Sequence, residues 1–269
     1  MSTIGFIGGG NMAEALIKGI VASGIYEPEN VLVSDIRADR LEFLADIYGV
    51  TVAESNSQLA AQAGTVVLSV KPQMMIEVLE GVKDAIGSNK LVISIAAGIT
   101  VANIAAVLGE VAIIRVMPNT PALIGQGASA LYANERAKPS LEKALSVFSS
   151  VGKAVVVDDE DLIDAVTAVS GSGPAYFFLL MEEMINAGVE LGLSEAVAKD
   201  LVLQTAKGAG LLAVEADDRG EGPAELRRKV TSPGGTTEAA IKVFTEGKIS
   251  ELVSAALTRA RDRGKELSK

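Results

Sequence analysis

A glycine-rich turn near the start of the chain has the spacing of a phosphate-binding loop. Gly8 and Gly10 follow the apolar segment TIGFI, and Ala13 completes a G-x-G-x-x-A pattern at the start of an amphipathic stretch. In this context the first glycine permits a tight turn, the second lets the backbone approach a pyrophosphate, and the small third residue lets a helix pack closely on a strand. The pattern predicts a dinucleotide site at a helix N-terminus, where free N–H groups and the helix dipole favour an anion.

Charged residues after the second apolar segment bear on which dinucleotide binds. Asp35 ends the segment VLVSD, at a position where an acid accepts a hydrogen bond from the adenosine 2′-hydroxyl and favours NAD. Arg37 and Arg40, with Ser34 donating a hydrogen bond, would instead clasp a 2′-phosphate and favour NADP. The residues alone leave both interpretations open.

Other polar residues follow further apolar segments and extend the predicted site. Ser69 and Lys71 end one such segment, and Pro72 holds Lys71 extended. Because ligands bind outside the carboxyl ends of the strands in a doubly wound sheet, these residues border the same crevice. The predicted cofactor-binding residues are Ile7, Gly8, Gly10, Asn11, Met12, Ser34, Asp35, Arg37, Asn56, Ser69, Val70, Lys71, Pro72 and Ala97.

A second glycine-rich turn, SPGGTT, lies near the other end of the chain, immediately before the helical pattern EAAIKVF. Consecutive backbone N–H groups at such a helix start offer a site for an anion such as a carboxylate. The predicted substrate-binding residues are Ser232, Gly234, Gly235, Thr236 and Thr237. The alternative is that a threonine hydroxyl here only caps the helix.

The composition excludes several kinds of chemistry. The chain of 269 residues contains no histidine and no cysteine, which rules out a Ser-His-Asp triad, a thiol nucleophile and a zinc site built from imidazole or thiolate. A formal net charge of −10 has the wrong sign for binding nucleic acid or an anionic membrane. No metal-binding residues are predicted, and we expect a bound organic cofactor to supply the chemistry.

The elements that position these residues alternate between strand and helix in the first part of the chain. Strands are predicted at 3–7, 31–35, 50–53, 66–70, 91–95, 111–117, 128–132 and 153–157. Helices are predicted at 11–23, 38–48, 57–63, 74–86, 101–108 and 140–151. This alternation predicts an α/β fold for residues 1–158, a doubly wound parallel sheet that binds the dinucleotide.

From about residue 159 the β signal fades and residues 159–269 are predicted to form an all-α domain. Its helices are predicted at 161–169, 174–191, 195–216, 224–229, 236–245 and 250–267. The helix at 174–191 is apolar around most of its circumference, which indicates an oligomer interface, with burial inside one subunit as the alternative.

Two apolar stretches bear on localisation. The first residues lack the basic and long apolar regions of a secretory signal. The uncharged run at 91–109 has the length of a membrane span, but Gly98, Thr100 and Asn103 favour a buried strand followed by a capped helix. We expect a cytoplasmic protein.

Six segments in order give the chain a family resemblance: FIGGGNM, SVKPQ, SIAAGIT, RVMPNTPA, DLIDAVTAVSGSGPAYF and VTSPGGTTEAAI. Together they resemble pyrroline-5-carboxylate reductase from Ile4 to about Leu257. The most specific part is a C-terminal signature carried by Pro223, Leu226, Val230, Thr231, Ser232, Gly234, Gly235, Thr237, Ala240, Ile241 and Phe244.

The resemblance implies reduction of the cyclic imine 1-pyrroline-5-carboxylate to L-proline with NAD(P)H, as the last step of proline biosynthesis. It also implies an N-terminal Rossmann domain, a C-terminal dimerisation domain and assembly of the homodimers into a ring. Thr237 matches the family threonine thought to place a hydroxyl near the ring nitrogen, so it is the predicted catalytic residue. Asp35 departs from the residues expected of a strict NADP enzyme, and we expect NADPH to be preferred with NADH also accepted.

Two other functions remain as alternatives. A β-hydroxyacid dehydrogenase shares this layout but uses a lysine on the first long helix of its second domain, and the segment 174–191 contains no lysine. A non-catalytic NADP sensor would bind cofactor and a partner protein without turnover.

Overall fold

A computed structural model describes residues 3–267, and one eight-stranded sheet organises the first part of this range. Its strands are β1 Ile4–Ile7, β2 Val31–Ser34, β3 Thr51–Val52, β4 Thr65–Leu68, β5 Leu91–Ser94, β6 Ala112–Met117, β7 Gly127–Ala133 and β8 Gly152–Val156. The strand order is β3-β2-β1-β4-β5-β6-β7-β8. β2 and β3 are therefore added on one side of β1, and β4 and the later strands on the other side, so the strand order reverses between β1 and β4. That reversal is the topological switch point of the Rossmann fold, where ligands bind.

Helices cover both faces of the sheet, as the alternating pattern predicts. They are α1 Asn11–Ala22, α2 Ala38–Tyr48, α3 Asn56–Gln62, α4 Met75–Val82, α5 Val101–Leu108 and α6 Leu141–Ser149. One core cluster joins Phe6 and Val33 to residues of α1, α2 and α6. A second joins Ile7 and Leu32 to residues of α3, α4 and α5. Because neighbouring strand residues point to opposite faces, β1 and β2 contribute to both clusters.

Two strands, β7 and β8, run opposite to the other six. β1 to β6 are parallel, whereas β7 runs antiparallel to β6 and β8 runs parallel to β7. The connection from β6 to β7 holds only a short 3₁₀ turn, Thr120–Ile124. A parallel connection needs a crossover of a dozen or more residues, so this short link makes β7 fold straight back.

Helices make up the remainder of the described chain. They are α7 Leu162–Val166, α8 Gly173–Glu190, α9 Glu195–Asp217, α10 Pro223–Lys229, α11 Thr236–Glu246 and α12 Ile249–Leu267. A single turn of π-helix, Thr167–Gly171, separates α7 from α8. The chain divides into two compact units, one ending at Pro174 and resuming at Thr258, the other spanning Ala175–Leu257. The domain boundary at 158/159, drawn where the β signal ends, stays a prediction.

The unit at Ala175–Leu257 has almost no core of its own. Its only buried residues are Ala198, Val202 and Ala216. Phe177 and Phe178 on α8 are 65% and 60% exposed. The apolar circumference of this helix is therefore not covered within the subunit, which agrees with the predicted interface and excludes the alternative of burial inside one chain.

Two stretches relate to the membrane question. The run at 91–109 forms β5 and α5, as predicted. In the described part of the chain, Leu162–Glu190 is the one helical stretch that is long and apolar enough to cross a membrane by length and composition.

Candidate active site

Two glycines of the first turn have different structural roles. Gly8 has a φ of +97°, and a Cβ placed on it would lie 2.7 Å from the backbone oxygen of Ser69. Gly10 has an ordinary φ of −65°, and a Cβ on it would meet no atom within 4 Å. Gly8 is therefore required by the turn itself, whereas the open space at Gly10 is available to a ligand.

The amides that follow Gly10 have no hydrogen-bond partner among residues 3–267. The first helical hydrogen bond of α1 runs from the Glu14 N–H to the Gly10 carbonyl, so the amides of Asn11, Met12 and Ala13 precede it. Amides in the first turn of a helix have no partner within the helix, and they favour an anion. The turn thus fits the pyrophosphate of a dinucleotide.

Asp35 holds the glycine-rich turn in place. Its carboxylate accepts hydrogen bonds from the Gly9 N–H at 2.7 Å and from the Arg37 N–H at 2.9 Å. The Arg37 guanidinium lies 3.7 Å from the same carboxylate and is 56% exposed. Asp35 and Arg37 therefore lie beside the turn, as predicted, and the carboxylate also has a structural role that the sequence did not indicate.

Arg40 makes more contacts with the protein than Arg37 does. Its Nε donates to the Gly9 carbonyl, its Nη2 donates to Glu14, and Phe43 lies 5.2 Å from the guanidinium carbon. Glu14 also accepts a hydrogen bond from the Tyr48 hydroxyl at 2.9 Å. Neither Glu14 nor Tyr48 was predicted as part of the site, since only the folded chain brings them to the turn.

These contacts shift the pKa values of Glu14 and Tyr48. Burial opposes ionisation of Glu14, but the hydrogen bonds from Arg40 and Tyr48 and the Arg40 charge outweigh it and hold the pKa of Glu14 below 4.5. Burial and the hydrogen bond to Glu14 raise the pKa of the Tyr48 hydroxyl above its usual value. Glu14 is therefore ionised at neutral pH and neutralises Arg40.

The other predicted cofactor residues lie on neighbouring strand ends. The Ser34 hydroxyl donates to the Asn56 side chain at 2.8 Å, joining the end of β2 to the start of α3. The Ser69 hydroxyl lies within hydrogen-bond distance of the carbonyls of Ile7 and Gly8 and so clamps the turn from β4. The parallel pairing of β4 with β1 and β5 places the segments after them, Val70 to Pro72 and Ala97, along the same edge.

Lys71 follows β4 in the extended conformation expected before proline, with φ −62° and ψ 144°. Its side chain is exposed and makes no ion pair with any residue between 3 and 267. A cation is therefore available at this edge of the sheet.

The second turn has the geometry of an anion site. Gly234 has a φ of +71°, which favours glycine, and its N–H donates to the Glu238 carboxylate at 2.8 Å. The first helical hydrogen bond of α11 runs from the Ala239 N–H to Gly235, so the amides of Thr236 and Thr237 precede it. The turn already presents an N–H to one carboxylate, and further amides remain for a second.

The threonine hydroxyls of this turn do not cap α11. Gly235, which has no side chain, occupies the N-cap, and Glu238 is the residue whose side chain accepts an N–H of this turn. The hydroxyls of Thr236 and Thr237 have no hydrogen bond with the described residues. The capping alternative is therefore wrong, and the hydroxyls are available for a ligand.

An open groove of about 670 Å³ runs along one face of α11. Gly234 and Gly235 line its end, and Glu238, Ile241 and Thr245 continue it along the helix. Thr237 is not among the lining residues. The geometry thus brings Gly234 and Gly235 to the groove and leaves the predicted role of Thr237 a proposal.

A buried cluster of charged side chains was not predicted from the sequence. Arg115 on β6 is 3% exposed and pairs with Glu160 at 3.1 Å and with Asp164 at 3.3 Å. Glu160 also accepts the N–H of Val101, the first residue of α5. An arginine inside the apolar strand AIIRVM was the available signal, since a buried charge needs a partner. Among residues 3–267 no group of three acidic side chains could hold a metal ion.

Comparison with known proteins gives two family matches. Residues 160–267 match the family described as pyrroline-5-carboxylate reductase dimerisation. Residues 3–98 match the family described as NADP oxidoreductase, coenzyme F420-dependent.

Individual relatives match along the whole chain. The pyrroline-5-carboxylate reductase of Pseudomonas aeruginosa is 50% identical, and the match covers 100% of this chain and 98% of that protein. The structure of a pyrroline-5-carboxylate reductase from Coxiella burnetii superposes with a TM-score of 0.94 at 44% identity, covering 100% of this chain and 99% of that one. A Plasmodium falciparum pyrroline carboxylate reductase with NADP bound gives 0.86 at 31% identity, with 100% and 98% coverage. With a relative identical at half of its positions and a matching dimerisation region, this chain belongs to the pyrroline-5-carboxylate reductase family.

Proposed function

We propose that this chain is an NAD(P)H-dependent imine reductase that converts 1-pyrroline-5-carboxylate to L-proline, the last step of proline biosynthesis. The structural observation that carries the proposal is the turn before α11, where amides and threonine hydroxyls without a hydrogen-bond partner in the described part of the chain occur together. An anionic cyclic imine requires both, since its carboxylate accepts N–H donors and its ring nitrogen needs a hydroxyl or water nearby.

The cofactor site proposed is the edge of the sheet around Gly8 and Gly10, with the fourteen residues predicted above as its lining. Bound NAD(P)H supplies the hydride that reduces the imine carbon. The amides of Asn11 and Met12 would hold its pyrophosphate. Arg37 is 56% exposed and lies beside Asp35, where the adenosine ribose is expected, which supports a preference for NADPH, while the Asp35 carboxylate would accept the 2′-hydroxyl of NADH.

The substrate site proposed comprises Ser232, Gly234, Gly235, Thr236 and Thr237. Backbone N–H groups at the start of α11 bind the substrate carboxylate, and the helix dipole adds to the attraction. Glu238 accepts the Gly234 N–H, so the substrate uses the neighbouring amides or displaces that side chain.

Thr237 orients the ring nitrogen through its hydroxyl. A neutral hydroxyl is a weak acid, so this residue positions the imine and relays a proton from water rather than acting as a strong acid. The chain has no histidine or cysteine to take that role.

The subunits form homo-oligomers, as the match to a dimerisation family and the exposed apolar surface of α8 support. We propose that the dimers assemble further into a ring, that the enzyme is cytoplasmic, and that the functional boundary between its two domains lies at 158/159. Sedimentation analysis of the purified protein tests the assembly, and a species no larger than a dimer at micromolar concentration would exclude the ring.

The activity is tested by following oxidation of NADPH and of NADH at 340 nm with and without added 1-pyrroline-5-carboxylate. We expect oxidation that depends on the substrate, L-proline as product, and a higher kcat/KM with NADPH. Turnover of a hydroxyacid instead would indicate a β-hydroxyacid dehydrogenase, and cofactor binding without turnover would indicate a sensor. A folded sample with no turnover would reject the proposal.

A further inference from the structure

Both backbone polar groups of Gly9 are held by charged side chains from the segment after β2. Asp35 accepts the Gly9 N–H at 2.7 Å, and the Nε of Arg40 donates to the Gly9 carbonyl at 2.5 Å. Gly9 and Gly10 have no side chains that restrict their backbone, so the orientation of the peptide between them needs an outside constraint. Arg40 supplies that constraint.

Fixing the Gly9 carbonyl also fixes the next amide. In a trans peptide the C=O and N–H of one unit point in opposite directions, so a carbonyl directed at Arg40 turns the Gly10 N–H away from it. Gly10 is the residue with open space beside it and precedes the free amides of α1. Arg40 therefore sets the direction of the first amide in the row that faces a pyrophosphate.

The partners of Arg40 leave it poorly suited to a ligand phosphate. Glu14 neutralises its charge, Phe43 covers one face of the guanidinium, and the side chain is only 13% exposed. The Nε and Nη2 donors form one of the two-pronged edges through which arginine grips a phosphate, and both are occupied. Arg37 is 56% exposed, and its Nε lies 3.7 Å from the Asp35 carboxylate, which is longer than a hydrogen bond.

We infer that Arg40 is a positioning residue, which orders the Gly9–Gly10 peptide for any dinucleotide, and that discrimination of the 2′-phosphate falls to Arg37. The inference rests on the proposed use of NAD(P)H. The sequence allowed both arginines to bind the 2′-phosphate, and the inference assigns that role to Arg37 alone.

The two roles predict different effects on NADP⁺ and NAD⁺. Loss of a charge-assisted hydrogen bond corresponds to about tenfold in affinity, so Arg40→Met weakens binding of both cofactors to a similar extent. Arg37→Met weakens NADP⁺ about tenfold and leaves NAD⁺ nearly unchanged. Glu14→Gln keeps Arg40 but removes its anionic partner, and it weakens both cofactors by a smaller and equal factor.

The experiment is isothermal titration of NADP⁺ and NAD⁺ into the parent enzyme and these three variants. Arg136→Met, at an exposed arginine paired with Glu110, is the control for loss of one positive charge. Thermal unfolding shows which variants keep the parent's stability. If Arg40→Met does not fold, the affinities of Glu14→Gln for the two cofactors test the inference instead.

Two results would overturn the inference. One is parent-like affinity of Arg40→Met for both cofactors. The other is an Arg40→Met or Glu14→Gln protein whose ratio of NADP⁺ to NAD⁺ affinity changes severalfold, which would make Arg40 a 2′-phosphate ligand restrained by Glu14. Failure of the proposed cofactor site is distinguishable, since the parent enzyme would then bind neither cofactor. Failure of the proposed imine reduction is read separately, as an absence of turnover with 1-pyrroline-5-carboxylate in a parent enzyme that still binds cofactor.

Discussion

Alanine at Gly8 and alanine at Gly10 are expected to damage the enzyme in two separate ways. At Gly8 the added Cβ would lie 2.7 Å from the Ser69 backbone oxygen and 3.1 Å from a methyl group of Val70, at a φ of +97°. At Gly10 the added Cβ meets no protein atom, and the φ of −65° suits any residue. The first change acts on the fold and the second on the ligand.

The magnitudes follow from these geometries. A positive φ costs a residue with a Cβ about 1–2 kcal/mol, and an overpacked contact costs about 1–3 kcal/mol more. Gly8→Ala therefore destabilises by about 2–5 kcal/mol, which for a chain of this size lowers the melting temperature by about 4–20 °C. Gly10→Ala changes stability by less than about 1 kcal/mol, because the reduced backbone freedom of the unfolded chain offsets a slightly poorer N-cap.

The affinity loss at Gly10 is the decisive measurement. A methyl group there occupies the space through which the backbone approaches the pyrophosphate, so we expect the NADP⁺ dissociation constant to rise at least about tenfold. Thermal unfolding and calorimetric titration of the two variants separate the effects. Parent-like NADP⁺ binding by Gly10→Ala would refute the placement of the pyrophosphate, and equal destabilisation by both variants would refute the division of roles.

Three further changes test other parts of the structure. Thr237→Ala is expected to lower kcat about tenfold or more without changing the melting temperature, because its hydroxyl has no partner among the described residues, and Thr237→Ser retains activity; an unchanged kcat would remove it from the mechanism. The pKa of Glu14 is held below 4.5, so its stabilising effect is complete above that pH and is lost as the pH falls through the folded value; chemical unfolding at several pH values shows whether the stability gap between the parent and Glu14→Gln narrows on acidification, as expected. Arg115→Met leaves two acidic partners unpaired and costs about 3–5 kcal/mol, whereas Arg136→Met at an exposed pair costs less than about 1 kcal/mol; similar costs for both would contradict the burial of the Arg115 cluster.

Elements with strong local signals were predicted nearly to the residue. α5 begins after Thr100, whose hydroxyl accepts the Asn103 N–H while the Asn103 side chain accepts the Thr100 N–H. α2 ends at Tyr48, and Gly49 after it adopts the left-handed conformation common at a helix C-terminus. Such end signals lie within a few residues of the elements they define, so a single sequence contains them.

Features set by distant contacts were not predictable in the same way. The reversed direction of β7 depends on which neighbour it pairs with, and the π-turn at Thr167–Gly171 has no local signature of its own. The partners of Arg115 are 45 and 49 positions away along the chain. The sequence shows an arginine within an apolar strand, but it does not show which two carboxylates neutralise its charge.

The site shows the same division. The two glycine-rich turns and the helices that follow them were predicted from spacing, since each turn and helix are contiguous. The partners of Asp35 and Arg40 were not, because the carboxylate and the guanidinium reach back to a turn that lies 26 and 31 positions earlier. Local motifs thus predicted where the candidate sites lie, and tertiary contacts determined which charged side chains are already paired.

The near absence of a core in Ala175–Leu257 has a consequence for handling the protein. Because this unit buries only three small or medium side chains, we expect it to gain stability when its apolar surface is covered in the homo-oligomer. Folding of that unit is then linked to association by mass action, so its melting temperature rises with protein concentration. Strong dilution would expose the apolar surface of α8 around Phe177 and Phe178 and favour aggregation over reversible dissociation.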